Sequence, residues 1–188
     1  TGSASSLNDL TDVLVDSNSS MFLGTPPTNS TGSYNTASGT NSLKDNTSGY
    51  RNTASGDSSL SSNTAGYNNT ALGASSLGTN TTGNDNTASG YYSLYFNTSG
   101  ESNTASGSNS LFFNTTGDYN TASGHNSLYA NTIGQGNTAS GLYSLSLNTT
   151  GNFNTASGGF SLNSNTEGNN NTALGYAAGG SSADAINQ

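Results

Sequence analysis

The tripeptide Asn-Thr-Ala returns at Asn35, Asn52, Asn69, Asn86, Asn103, Asn120, Asn137, Asn154 and Asn171, each spacing being 17 residues without insertion or deletion. So strict a period demands that each unit stack on an equivalent one, because one indel would throw every lateral contact out of register. With that Asn as offset zero, the unit reads N-T-A-S-G-x-x-S-L-x-x-N-T-x-G-x-x. Glycine recurs at offset four (Gly39, Gly56 and onward to Gly175) and at offset fourteen (Gly49, Gly66 and onward to Gly168). Leucine recurs at offset eight, from Leu43 to Leu162.

The two glycines divide the unit into the arms x-x-N-T-A-S and x-x-S-L-x-x, and glycine next to Asn supplies the positive-φ corners a tight turn needs. Ser, Asn, Thr and Gly account for 117 of 188 residues, all mediocre or poor helix formers. The expected fold is therefore all-β: a parallel β-solenoid of about nine 17-residue coils over residues 29–180, each coil with two short strands and two corners. Coils about 4.8 Å apart would give a rod on the order of 40 Å long. Residues 1–28 read as an irregular N-terminal cap or lead-in, extended from Asp12 to Asp16 and broken by Pro26 and Pro27. Residues 181–188 read as a C-terminal tail or a truncated continuation.

Stacking places like residues above one another. Asn52, Asn69, Asn86, Asn103, Asn120, Asn137 and Asn154 form one expected amide ladder. A second Asn column stands at offset eleven, and Thr columns stand at offsets one and twelve. Leu60, Leu94, Leu111, Leu128 and Leu145 form the expected core, with Leu72 and Leu174 as additions where Ser is usual. Alternation sends Thr and Ser of the first arm to one face and Ala to the other, leaving open which face is inward.

Chemistry-bearing groups are sparse. Lys44 and Arg51 are the only cations against ten acidic residues, so there is no basic stripe to neutralise phosphates and nucleic acid is not an expected partner. Cysteine is absent, which removes disulfides and thiolate metal sites. No apolar stretch approaches the ~18–20 residues of a membrane-spanning helix, and no signal-peptide pattern opens the chain. Such a composition suits an extracellular, cell-surface or virion-surface location. His125, the only histidine, occupies a variable position and reads as a solvated side chain. Asp57, Asp85, Glu101, Asp118 and Glu167 read as scattered over the unit, so neither a carboxylate pair nor a calcium ladder is expected. Without convergent acid, base or nucleophile, the reading is a non-enzyme with no cofactor and no metal.

The variable offsets carry aromatics in the middle coils: Tyr92, Tyr95, Phe112, Phe113, Tyr129, Tyr143 and Phe160. They read as interchain packing or as a receptor-contact column on which a sugar could stack. One Leu per coil is little return for ordering 17 residues. Self-association burying Ala and aromatic columns is the expected remedy. Thr columns also raise an alternative, an ice-binding solenoid, although no T-x-T pair repeats on one strand.

The stretch NTALGASSL from Asn69 to Leu77, and NTALGYAA from Asn171 to Ala178, resemble the N-T-A-[IV]-G-Y-x-A-L repeats of bacterial surface proteins and phage tail fibres. Those in turn are similar to the N-S-V-A-I-G repeats of YadA-type trimeric adhesin heads. The segments Ser6–Val13 and Ser20–Gly24 resemble the lead-in found before such repeats. The resemblance implies a left-handed parallel β-roll, trimerised side by side, in a fibre or adhesin that contacts a host-surface or matrix receptor, including glycans. The chain departs from it in its 17-residue period and in placing Ser where Ile is usual before the first glycine. No coiled-coil neck, membrane-anchor strands or chaperone domain is expected within residues 1–188.

Overall fold

A computed structural model describes residues 13–15, 18–23, 27 and 30–179. Eleven three-residue strands lie in one sheet in sequence order: β1 (Val13–Val15), β2 (Met21–Leu23), β3 (Thr36–Ser38), β4 (Thr53–Ser55), β5 (Thr70–Leu72), β6 (Thr87–Ser89), β7 (Thr104–Ser106), β8 (Thr121–Ser123), β9 (Thr138–Ser140), β10 (Thr155–Ser157) and β11 (Thr172–Leu174). From β2 to β11 all pairings are parallel, and from β3 onward each residue pairs with the one 17 positions later. The coil is the repeat, and the molecule is a parallel β-solenoid of about nine turns. No helix occurs among the described residues.

Each coil holds one strand, not two. The arm x-x-S-L-x-x is a succession of turns, because its backbone is left-handed at offsets six and eight. Tyr92 has φ 54° and Leu94 φ 51°, Asn109 φ 54° and Leu111 φ 51°, and the same pair recurs in every coil from Asn41 to Leu162. The amide at offset seven donates to its own coil's offset-four carbonyl (Ser110 to Gly107, 3.3 Å), and that at eleven to the offset-eight carbonyl (Asn114 to Leu111, 3.1 Å). Left-handed backbone costs a non-glycine residue roughly 1–2 kcal/mol. At offset eight the returns are full burial of Leu, worth roughly 1.5–3 kcal/mol, and a 3.0 Å bond from the Leu111 amide to Ser127 O of the next coil. Strand propensity is overridden by the need to turn the chain while pointing Leu inward.

The inward face of the strand is settled in favour of Ala. Ala54, Ala71, Ala88, Ala105, Ala122, Ala139 and Ala156 are buried against the column Leu43 to Leu162. Two expectations fall with this. Ala cannot make interchain contacts, since it fills the coil's own interior, and Leu72 and Leu174, at the outward offset three, are exposed rather than core. Within the expected N-terminal lead-in, Val13–Val15 is extended, as the reading of Asp12 to Asp16 has it; β1 pairs antiparallel with β2, and Phe22 pairs with Ala37 and ends the Ala column with a buried ring. The expectations for residues 1–12, for Pro26 and for residues 181–188 lie outside the described residues.

Both glycine columns mark places where one coil's backbone lies on the next. A Cβ on Gly107, whose φ is +132°, would stand 2.7 Å from Gly124 C and O. A Cβ on Gly100 would stand 2.5 Å from Asn97 Oδ1 and 2.6 Å from Gly117 O. Gly107→Ala should therefore cost the backbone strain of about 1–3 kcal/mol and also push two coils apart. Leu111→Ala should cost about 2–5 kcal/mol by leaving a cavity. Thermal or denaturant unfolding checks both, and wild-type stability for Gly107→Ala would contradict the close stacking.

Candidate functional site

The interior is built around two amide columns. Asn103 Nδ2 donates to Asn86 Oδ1 of the preceding coil (3.1 Å) and to Gly117 O of its own coil (2.8 Å). The Asn103 amide nitrogen also donates to Asn86 Oδ1 (3.0 Å). Asn52, Asn69, Asn86, Asn120, Asn137 and Asn154 repeat this pattern. At offset eleven, Asn114 Nδ2 donates to Asn97 Oδ1 (2.8 Å) and to Gly117 O (2.9 Å). Both side-chain amides of a coil thus converge on one glycine carbonyl. Every donor of these buried groups is used, as burial of an amide requires. Thr at offset twelve adds a third column, with Thr98 Oγ1 donating to Thr115 O (3.0 Å). Ser at offset seven closes on its own coil, as in Ser110 Oγ to Gly107 O (2.8 Å).

Two outer faces differ in chemistry. The sheet's outward face carries Thr at offset one in nine coils and Ser at offset three in seven. Most of these residues are exposed, for example Thr104, Ser106, Thr121 and Ser123. Among the described residues their hydroxyls make no hydrogen bond, whereas those at offsets seven and twelve are consumed internally. The sequence did contain the missing pair, as T-x-S rather than T-x-T. No charged residue stands at either outward offset of these strands.

The turn arm carries the predicted aromatics, and the structure brings them together. Tyr95, Phe112 and Tyr129 stack along the axis (5.7 Å and 5.3 Å between centroids), Phe96 stacks on Phe113 (5.4 Å) and Tyr143 on Phe160 (5.4 Å). Tyr92 meets Tyr95 edge-on at 4.8 Å. Ring faces are used by neighbouring rings, so the column offers edges outward, and a sugar cannot lie flat on its middle members. Phe96, Phe113, Tyr91, Leu142 and Leu147, all on this arm, are exposed. Phe96 and Leu147 share offset ten with the predicted Phe113, whereas Tyr91 and Leu142, at offset five, were not among the expected contacts although periodicity assigns them to the same arm. In coils one to three that arm is polar.

The acidic residues are not all scattered. Glu101 and Asp118 are 17 apart at offset fifteen, and Asp118 Oδ1 accepts from the Glu101 amide nitrogen (2.8 Å). The column continues with Asn84, whose Nδ2 donates to Glu101 Oε1 (3.0 Å). Each carboxylate of the pair thus accepts from an amide donor, and among the described residues no group of three or more His, Asp or Glu gathers. Desolvation, and then the charges of Tyr50, Asp85 and Glu101, push the Tyr67 phenol above its usual range. A hydrogen bond to Tyr92 raises that of Tyr91. His125 is exposed, edge-on to Tyr143 at 5.8 Å. No helix of the described residues is long and apolar enough to cross a membrane.

The ladder predicts a pH signature. In Asn103→Asp a carboxylate oxygen replaces Nδ2 and faces two acceptors, Asn86 Oδ1 and Gly117 O. Burial and this repulsion raise the folded-state pKa above the unfolded value of about 3.9. The folded state then binds more protons, so stability falls as pH rises through that range. Asn103→Asp should be clearly more stable at pH 4 than at pH 7, while Asn103→Ala should lose about 1–3 kcal/mol at both. Chemical denaturation at the two pH values, each against wild type, checks the difference.

No known protein family matches the chain, and neither a curated protein nor a solved structure shows similarity to it.

Proposed function

We propose that this chain is a rigid segment of an adhesive fibre, a tail fibre or trimeric surface adhesin, that works outside the cell or on a virion and catalyses nothing. The observation that carries the reading is the unbroken register: from β3 to β11 each coil pairs residue for residue with the next. Repetition is thereby converted into length at about 4.8 Å per coil. The interior is filled by Leu, Ala, Asn and Ser, which leaves a rod with outward side chains for recognition. The resemblance to YadA-type and tail-fibre repeats supports the same reading and supplies the number three. With Ala buried, the energetic case for association rests on the exposed apolar side chains of coils four, five and seven, where Phe113 is 39% exposed and Tyr91 55%. Host-surface or matrix receptors, including glycans, are the partners of such a fibre.

Duplicating residues 52–170 adds seven coils, and the rod should lengthen by about 34 Å in electron micrographs. An unchanged length would end the reading. Light scattering should give three times the 18.8 kDa of one chain. Phe112→Ser with Phe113→Ser should weaken that assembly far more than Tyr119→Ser on the opposite corner. A well-folded monomer at micromolar concentration would remove the trimer.

One observation favours a second reading. The Thr and Ser columns present a charge-free grid of unbonded hydroxyls, spaced about 4.8 Å between strands and about 6.6 Å along them. Side-chain ladders such as the two Asn columns are a device that holds many-stranded sheets flat. A regular hydroxyl lattice is what an ice surface would meet. Thermal hysteresis separates the two readings: marked hysteresis, lost in Thr104→Lys with Thr121→Lys, would establish ice binding, and unshaped ice growth in folded protein would exclude it.

A further inference from the structure

The corner of the first coil holds an open cavity of about 230 Å³ lined by Thr31, Gly32, Ser33, Tyr34, Ser48, Tyr50 and Arg51. Its origin is legible in the columns. Offset fifteen reads Ser33, Tyr50, Tyr67 in successive coils. Tyr50 stacks on Tyr67 nearly parallel, 4.9 Å between centroids and 8° between planes, so one face of the Tyr50 ring is covered. Toward the other face the column offers only the short side chain of Ser33, and the stack of rings is interrupted there. Offset sixteen reads Tyr34 then Arg51, both left-handed (φ 59° and 54°), which turns their side chains out at the corner. Tyr34 is 63% exposed, and the Arg51 guanidinium carbon lies 5.7 Å from the Tyr50 ring centroid.

We infer that this corner binds the ring of an acidic sugar, with the sugar's apolar face on the aromatic walls and its carboxylate on Arg51. Three features select the ligand. Arg51 is one of two cations in a chain of net charge −8 and makes no ion pair among the described residues, so its charge is available to an anion. A planar guanidinium matches a carboxylate with two parallel donors. Among the described residues the Ser33 and Ser48 hydroxyls make no hydrogen bond, and Thr31 Oγ1, which donates to Thr47 O at 3.2 Å, can still accept. Several hydroxyl partners beside an aromatic wall suit a polyhydroxylated ring better than an aromatic acid. The volume admits one such ring. The aromatic stacks of the middle coils offer no equivalent place, because neither Lys44 nor Arg51, the two cations of the chain, belongs to those coils. The inference gives the fibre reading a receptor class and rests on it only for biological context.

The test is a titration followed by amide nitrogen–proton NMR, using methyl glucuronide and methyl N-acetylneuraminide as probes, with methyl glucoside and benzoate as comparators. Binding should be saturable, with shifts centred on Gly32–Tyr34 and Tyr50–Arg51. Arg51→Ala should weaken it about tenfold or more, the worth of one charge-assisted bond, and Arg51→Lys should lie between. Ser33→Tyr, which continues the ring column into the cavity, should abolish binding while leaving the melting transition intact. Equal binding of methyl glucoside, stronger binding of benzoate, or no saturable shift at tens of millimolar of either acidic sugar would overturn the assignment. Rod length in micrographs is indifferent to all of these outcomes, so failure here and failure of the fibre reading are separable.

Discussion

The structure hangs on one carbonyl per coil. Gly117 O receives the Nδ2 groups of both Asn103 and Asn114, which closes the coil across its interior. The second proton of each amide goes to the Oδ1 of the coil before. One group therefore ties the cross-section, and the same side chains tie the axis. All Nδ2 donors point toward the N-terminus, so the amide dipoles in each column are aligned and reinforce one another. A solvent-free row of amides is costly if any member is left unpaired, and this favours an indel-free chain.

Against that scaffold the backbone accepts strain. Each coil turns at two or three left-handed non-glycine positions, including Leu at offset eight. Burial of Leu and inter-coil amide bonds offset the strain locally, so it is repeated rather than concentrated. Glycine is kept for the two columns where a Cβ would collide with the next coil's main chain. Coils cannot form singly on these terms, because the compensating bonds come from neighbours. The Phe22 ring and the β1–β2 hairpin supply a neighbour for the first coil.

With the interior occupied by structure, recognition is left to what projects outward. The strand face is uniform and hydroxylated, while the turn arm is polar in the first coils and aromatic in the middle ones. The aromatic stacks stabilise the chain along its axis and leave ring edges for partners. Among the described residues, a ring stack ends beside a cation at Ser33, Tyr50 and Arg51. A rod of identical coils thus gains distinct addresses along its length by changing only variable offsets.

The sequence alone determined the period, the coil count, the parallel stacking and the Asn and Leu columns, because a 17-residue repeat free of indels admits only structures in which like sits on like. The Tyr and Phe residues of the middle coils were legible as columns at offsets six, nine and ten for the same reason. Period could not say which face of Thr-Ala-Ser is inward, since alternation is symmetric until packing breaks it. Ala went in because its methyl packs on the Leu column without a polar group to satisfy, and that choice left the hydroxyls outward and removed Ala from any interface. Nor could propensity reveal that the second arm turns, for Leu at a positive φ is unfavourable until a neighbouring coil accepts its amide. The corner cavity was likewise invisible. It exists only because Ser33 lies over Tyr50 in space, seventeen residues away in the chain.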